Sequence, residues 1–277
     1  SRQVVVVGDA RQLPPSDFFR RNLTDDSTDT DRSDDDTADE PLEESVLEMA
    51  NHAFHPRRQL RWHYRSRHAD LIRFSSHMMY DDQLVIFPAA DQDRPDMGVG
   101  LVSVPGTYKS GLNAVEAAAI SRAVITFMET QVADGCATPD NPGRSLGVVT
   151  MNGKQRDLLD EDIERAAAQS RAARQYLDFW SGWENGLDAF FVKNLENVQG
   201  DERDVIYIGT VYGPAEPGGA VAQRFGPVNR PAGPRRLNVL FSRARCQMLT
   251  FSSMTAADIS ATPDSRPGAW MLKRWLE

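Results

Sequence analysis

The sequence predicts an α/β fold in which a parallel sheet carries helices on both faces. Short apolar runs alternate along the chain with longer segments of helical periodicity, which is typical of βαβ units. Residues 4–7 are four valines that end at Gly8-Asp9, as expected of a buried parallel strand opening into a loop. A length of 277 residues, with 40% hydrophobic and 26% charged residues, fits one large soluble globular domain.

Each element is predicted from a local signal. The strands are apolar, β-branched runs bounded by turn residues, at residues 4–7, 146–150, 189–192, 205–211 and 248–252. Helical spacing of apolar residues predicts helices at residues 44–50, 70–80, 153–176 and 237–245. A further long helix begins after Asn113, which with Glu116 has the spacing of a capping box. The apolar stripe of that helix is predicted to be core and consists of Ile120, Val124, Phe127 and Met128.

The net charge of −9 is concentrated in one segment. Residues 24–48 hold twelve acidic residues and one arginine, so the remainder of the chain carries a slight positive charge. The segment is polar and lacks aromatic residues, which predicts a disordered acidic insertion at residues 24–45. It is a solvated tether or, alternatively, a self-inhibitory mimic of a nucleic-acid backbone. The acidic total therefore does not exclude a nucleic-acid partner.

Cysteine and hydropathy patterns restrict the class of protein further. Two cysteines cannot form a disulfide framework or a four-ligand zinc site, which favours a reducing, cytoplasmic setting. Four of the five histidines lie in one basic stretch, but no cysteine or carboxylate recurs there at ligand spacing, so no metal site is predicted. No run of 18 or more apolar residues suggests a membrane span, and no membrane partner is expected.

Two early stretches carry residues suited to phosphate recognition. The first, GDARQLPP at residues 8–15, follows the valine run, and the amide of Gln12 can both donate to a phosphate and accept from water. The second, LRWHYRSR at residues 60–67, offers the flat ring of Tyr64 for stacking and the guanidinium of Arg65 for bidentate phosphate contact. Read alone, the second stretch is equally a solvated basic patch.

A third stretch, SLGVVTMNGKQRDLL at residues 145–159, superficially resembles a P-loop. Five residues separate Gly147 from Gly153 where a P-loop has four, and Gln155 stands where Ser or Thr must hold Mg²⁺, so we reject that interpretation. The stretch instead predicts a strand ending at Thr150, a loop and a helix N-terminus, which favours an anion such as phosphate.

Two late stretches complete the pattern. VKNLENVQGDERDVIYIG, at residues 192–209, places Gln199 and Gly200 before an acidic turn and a buried strand, and glycine permits close approach of the backbone to a ligand. RRLNVLFSRAR, at residues 235–245, has Arg236 and Arg243 two helical turns apart, which predicts that they share one helix face.

In this order, the five stretches resemble the motifs of superfamily 1 helicases over residues 3–255. Their details are most similar to superfamily 1B, the branch of the RNA-surveillance helicases and senataxin, and within it to large bacterial and archaeal members. The resemblance implies a RecA-like second motor lobe, a P-loop-NTPase-type sheet without a Walker A sequence. It also implies ATP and Mg²⁺ as cofactors, single-stranded DNA or RNA as partner, and 5′→3′ movement.

The resemblance also implies a role for each candidate residue. Gln12 would sense the γ-phosphate, and Arg65 and Arg243 would contact it from this lobe, the latter as an arginine finger. The nucleotide itself would be held by Tyr64, stacking on adenine, together with Gly200 and Glu202. The nucleic-acid strand would be contacted by Thr150, Gln199 and Arg236.

The domain organisation follows from the motifs. Residues 1–23 are expected to be a remnant of a first RecA-like domain, residues 57–255 the second one, and residues 256–277 a linker and helix. The P-loop and the Asp-Glu pair that precede the first motif in the family are not found before Gly8. We therefore expect the missing first lobe to bind most of the ATP and Mg²⁺, this chain alone to be inactive, and a nuclease domain as a further partner downstream. The alternative is a non-catalytic nucleic-acid-binding module derived from a helicase.

Overall fold

The computed structural model describes residues 3–13, 46–88 and 93–277. The chain divides into two compact units, Ser1–Arg61 and Trp62–Glu277. In the first unit, the described residues contain one helix, α1 (Val46–Ala53), where the sequence predicts a helix at residues 44–50. The acidic insertion predicted at residues 24–45 lies outside the described residues.

The described part of the second unit is built on a five-stranded, wholly parallel sheet. In chain order its strands are β1 (Gly98–Ser103), β2 (Leu146–Thr150), β3 (Phe191–Asn194), β4 (Arg203–Gly209) and β5 (Ala244–Ser252). In space the order is β1-β5-β4-β2-β3, so β4 and β2 are central, and both are completely buried. The predicted α/β fold, a parallel sheet with helices on both faces, is confirmed.

Six helices of this unit cover the two faces of the sheet. Three of them, α3 (Ala114–Ala133), α4 (Gly153–Ala167) and α5 (Arg171–Gly182), pack together on one face. The other face carries α2 (Asp70–Met79), α6 (Gly233–Phe241) and α7 (Pro267–Trp275). The alternation of side chains along β4 separates the two cores, because Val205 and Tyr207 belong to the first core and Ile206 points away from it.

The first core contains the predicted stripe of α3. Ile120, Val124 and Met128 are fully buried against β2 and β4, and Phe127 packs edge-on against Tyr176 and Tyr207. Burial of each such side chain contributes about 1.5–3 kcal/mol. The second core is aromatic: Trp275 of α7 stacks on Phe241 of α6 at 3.9 Å between ring centroids. The helix at residues 267–275 is thus part of this unit.

The strand predicted at residues 4–7 is not formed. Val4, Val5 and Val7 are 65–77% exposed and lie in extended chain without strand pairing. A run of valines becomes a buried strand only where neighbouring strands satisfy its backbone and other elements cover its side chains. The described residues of the first unit provide neither, because they form a single helix, α1.

Two other elements differ from prediction for local reasons. The helix predicted at residues 153–176 is two helices, because the hydroxyl of Ser170 accepts a hydrogen bond from Ala173 N–H and starts α5 anew. The strand β1 was not predicted at all. Two of its six residues are glycines, which weaken the strand signal, and a Cβ at Gly100 would lie 2.7 Å from the end of the Leu249 side chain, which would have to shift.

Candidate nucleotide and nucleic-acid site

The connection from β3 to β4 runs without a helix through residues 195–202, which we call the crossover segment. Asn194, where β3 ends, is level with Thr150 and Gly209, whereas β4 begins at Arg203. The segment must therefore return the chain by six strand residues, about 20 Å, and the nine steps from Asn194 to Arg203 reach at most about 30 Å. Two turns, closed by Asn197 N to Asn194 O and by Asp201 N to Val198 O, take up the difference, so the segment links the carboxyl edge of the sheet to the amino edge without a helix.

Arg65 contacts the end of the crossover segment at the amino edge. Its Nε donates to the carboxylate of Glu202, and its NH1 donates to the carbonyl oxygen of Ser242 at 3.2 Å. Both side chains are about one-third exposed, so the pair remains accessible to a ligand. The structure thus brings together two residues that lie 137 positions apart in the sequence.

Arg243 lies beside that pair. It is 4% exposed, and its Nε donates to Val239 O at 2.8 Å while its NH1 reaches Asp201 O at 3.4 Å. Burial, and next the charge of Arg65, lower the pKa of Arg243 to about 10, so the group remains charged at neutral pH. Two guanidinium groups therefore face one short stretch of the crossover segment.

Arg236 and Arg243 do not share a helix face as predicted. Helix α6 spans Gly233–Phe241, so Arg236 is inside it, whereas Arg243 follows the C-cap residue Ser242 and enters β5. Arg236 is buried, with NH2 3.6 Å from the carboxylate of Glu196 near the start of the crossover segment. Its predicted contact with nucleic acid does not fit this geometry, because the guanidinium is covered by the protein itself.

Three further candidate residues, one beside Arg65 and two in the crossover segment, are exposed. Tyr64, next to Arg65, is 95% exposed and offers a free ring face. Gln199 and Gly200 are exposed in the crossover segment. Gly200 has φ +93°, a backbone conformation that a side chain would strain. A residue without a side chain is required there by the turn itself.

A charged layer that the sequence did not single out supports these residues. Arg245 pairs with Asp188 at 2.8 Å and with Asp204 at 3.1 Å. Asp204 also accepts from the backbone N–H and the hydroxyl of Ser145, each at 3.0 Å. The layer ties the starts of β2, β4 and β5 together. Only the spacing of the two arginines at 243 and 245, two positions apart with the first residue of β5 between them, could have indicated it.

At the carboxyl edge, Thr150 is fully buried. Its hydroxyl donates to Asn152 O at 2.8 Å, and its carbonyl oxygen accepts from Leu195 N at 2.8 Å. The predicted contact between this hydroxyl and a phosphate does not fit, because the group is used to shape the loop before α4. Asn152 caps α4 by accepting from Gln155 N at 2.8 Å, and it leaves the following Lys154 exposed.

A buried polar network holds the neighbouring loops of the carboxyl edge. The side chain of Gln155 makes two hydrogen bonds of 2.9 Å to the backbone of Asn113. Asn113 accepts from Glu116 N at 3.1 Å and so caps α3 as predicted. The capping box is incomplete, however, because the Glu116 carboxylate accepts from Val211 N at 2.8 Å instead. Burial raises the pKa of the Glu116 carboxyl to about 8.

Val211 is the strained residue of this network. It has φ +67°, which is unusual for a β-branched residue. Its N–H is held by Glu116 and its carbonyl oxygen by the Asn113 amide at 3.1 Å. Such strain costs on the order of 1–3 kcal/mol and persists only where the surroundings enforce it. Two side chains of α3 therefore fix the loop that follows β4.

Gln12 belongs to the first unit. Its side-chain amide donates to the Asp9 carboxylate at 3.0 Å, and the same carboxylate accepts from Arg11 N at 2.9 Å. The stretch GDARQ thus forms a compact turn around Asp9. In the described residues, no group of three or more His, Cys, Asp or Glu side chains is placed to hold a metal ion. No helix in the described ranges is both long and apolar enough to cross a membrane.

Comparison of the sequence with known proteins shows the family to which this chain belongs. The chain is 30% identical over 285 residues to the ATP-dependent helicase MG140 of Mycoplasma genitalium, and 29% identical over 287 residues to its homolog from Mycoplasma pneumoniae. Each alignment covers 98% of this chain and 23% of the relative, so the chain spans about a quarter of the length of the curated relatives it matches.

A solved structure, the C-terminal domain of a "possible DNA helicase" from Lactobacillus plantarum, aligns with a TM-score of 0.37 at 11% identity. It covers 68% of this chain and 86% of that one, and the likeness is too loose to support an argument. The family model described as AAA domain matches residues 42–255, more than three-quarters of the sequence. The chain therefore belongs to the AAA domain family, among relatives named as ATP-dependent helicases.

Proposed function

We propose that this chain is the second motor lobe of an ATP-dependent nucleic-acid helicase or translocase. The observation that carries the proposal is that three arginines contact the crossover segment. Arg65 pairs with Glu202, Arg243 reaches Asp201 O, and Arg236 lies beside Glu196. Because the segment joins the two edges of the sheet and these contacts lie along its length, we expect a change at one edge to be transmitted to the other.

At the amino edge, the pair of Arg65 and Arg243 is suited to the γ-phosphate of ATP. Guanidinium groups stay charged and bind phosphate oxygens bidentately. A phosphate there competes with Glu202 for Arg65, which loosens the end of the crossover segment. The exposed ring of Tyr64 can stack on a base, and Glu202, once released, can accept from a ribose hydroxyl. Arg243, which is 4% exposed in this structure, becomes accessible when Glu202 and the end of the crossover segment move away, and it then stabilises the charge that develops on the transferred phosphoryl group.

ATP and Mg²⁺ would be held mainly by a first RecA-like lobe. When bound, Mg²⁺ would neutralise negative charge on the phosphates. The described residues of this chain have no carboxylate cluster for it. In this scheme the sensing of the γ-phosphate by Gln12 stays a prediction from its motif.

At the carboxyl edge, the surface for single-stranded DNA or RNA is assigned to the loop between β2 and α4. The N-terminus of α4 presents backbone N–H groups, and the exposed Lys154 follows one residue later. The buried Thr150 hydroxyl shapes this loop, and the exposed Gln199 remains a candidate contact on the crossover segment. Contacts of this kind recognise the strand backbone and tolerate any sequence.

The proposal is tested by Arg243→Ala in the full-length protein. Loss of an arginine finger lowers turnover by on the order of 10³-fold or more, so nucleic-acid-stimulated ATPase activity should fall by that factor. Arg122→Ala, which removes an exposed arginine from α3, is the matched control and should leave turnover unchanged. Unchanged turnover in Arg243→Ala would contradict the assignment and favour the alternative, a non-catalytic nucleic-acid-binding module.

A further inference from the structure

The turn that presents Arg65 is closed by a histidine. The Nε2 atom of His63 accepts a hydrogen bond from the backbone N–H of Ser66 at 3.1 Å and lies 2.8 Å from the Ser66 hydroxyl. The imidazole therefore bridges the two residues between them, Tyr64 and Arg65. The ring closes this turn by accepting from a backbone N–H, as an Asn or Asp side chain does in an Asx turn.

The turn is anchored on both sides, to the loop at Val85 on one and to the sheet on the other. His63 N donates to Val85 O at 3.4 Å, and Arg67 N donates to Arg245 O at 2.7 Å at the start of β5. Between these anchors, the adjacent side chains of Tyr64 and Arg65 point in opposite directions. Tyr64 points to solvent, whereas Arg65 turns inward to Glu202. A change in the turn would therefore move the guanidinium while both anchors stay in place.

The hydrogen bond fixes the protonation of the ring. A nitrogen that accepts from an N–H carries no proton itself, so the proton of the neutral imidazole is on Nδ1. Burial, and next the charge of Arg65, lower the pKa of His63 to about 4. The ring is thus neutral at neutral pH, and its acceptor for Ser66 is always available.

We propose that His63 is the positioning residue for Arg65, and that its Nε2 acceptor holds the turn in which the guanidinium reaches Glu202 and the bound phosphate. This inference rests on the proposed function, because it assigns a task to a residue that serves Arg65. His63 itself touches neither the phosphate nor Glu202. Its effect passes through the backbone of residues 63–66.

The geometry predicts which substitutions are tolerated. The amide oxygen of glutamine extends as far from the backbone as Nε2, so His63→Gln can accept from Ser66 N–H. The oxygen of asparagine ends near the position of Nδ1 and cannot reach. We expect His63→Ala and His63→Asn to lower kcat of the full-length ATPase by about 10–100-fold, the effect of a misplaced catalytic group. His63→Gln should restore kcat close to the parent value, with KM for ATP little changed in all three.

Arg65→Ala, measured beside these variants, separates the two proposals. If Arg65→Ala leaves turnover unchanged, the proposed function fails. If Arg65→Ala is impaired while His63→Ala is not, or if His63→Gln is as impaired as His63→Asn, the positioning role is overturned. Nitrogen-15 NMR of the 277-residue chain gives an independent readout: His63 should carry its proton on Nδ1, and a proton on Nε2 would refute the inference even where a variant fails to fold.

Discussion

At the scale of single residues, the structure places ionisable groups where burial decides their protonation. Glu116 is fully buried at the first turn of α3, yet no cation pairs with it among its hydrogen-bond partners, which are Val211 N–H and the Thr210 hydroxyl. Its raised pKa follows from that setting. The carboxyl group that holds the strained loop at Val211 is therefore unfavourable in its charged form.

This arrangement predicts how stability depends on pH. The pKa of Glu116 is about 8 in the folded chain and near its ordinary value of 4.5 in the unfolded one, so the folded state keeps a proton that the unfolded state releases. Stability from this group is complete below about pH 4.5 and is lost as pH rises towards 8, by up to about 1.4 kcal/mol per pH unit.

Glu116→Gln removes this titration and keeps the shape of the side chain. Chemical denaturation between pH 5 and 8 should show a flatter stability profile for the variant than for the parent chain. Glu161→Gln, an exposed glutamate of α4, serves as control and should retain the parental slope. A parental slope in Glu116→Gln would mean that the carboxyl is ionised in the folded protein throughout this range.

At the scale of elements, α7 is bound to the rest of the fold by aromatic stacking. Trp275 stacks on Phe241, lies 5.0 Å from Phe74 in an edge-on pair, and donates from its indole N–H to Thr250 at 2.9 Å. Trp275→Ala should therefore lower the free energy of unfolding by about 3 kcal/mol, the lower end of the range for buried tryptophan. Thermal or urea unfolding measures this, and Leu187→Ala, at a 74% exposed position, should have almost no effect. If Trp275→Ala and Leu187→Ala had the same free energy of unfolding, the stacking of Trp275 would not hold α7 in the fold.

The elements also show how far sequence reasoning reaches. Apolar runs with a sheet to join, such as residues 146–150 and 205–209, were predicted because their own residues carry the signal. Residues 4–7 carry the same signal but form no strand, since pairing partners decide the outcome. Arg65, Glu202 and Arg243 were predicted from motif resemblance, and the structure brings them together. The buried state of Thr150 and Arg236, and the layer of Arg245, Asp188 and Asp204, depend on tertiary packing that no local pattern contains.

At the scale of the whole molecule, the two edges of the sheet divide the proposed work. The amino edge holds the pair Arg65–Glu202, and the carboxyl edge holds the loop before α4, with the crossover segment between them. Under the proposed function, the guanidinium groups of this lobe sense a nucleotide that a second surface holds.

The isolated 277-residue chain should therefore hydrolyse ATP negligibly and bind single strands weakly and with strong salt dependence. Fluorescence anisotropy with an unstructured oligonucleotide, measured between 50 and 200 mM salt, should give a log–log slope of about −0.7 for each phosphate contacted. Lys154→Gln should reduce that slope by about one such contact, because this exposed cation follows the N-terminus of α4. Lys273→Gln, on α7 at the other face of the sheet, is the matched control and should not change it. Robust ATP turnover by the isolated chain would refute the need for a second lobe, and salt-independent binding would refute a backbone contact at this edge.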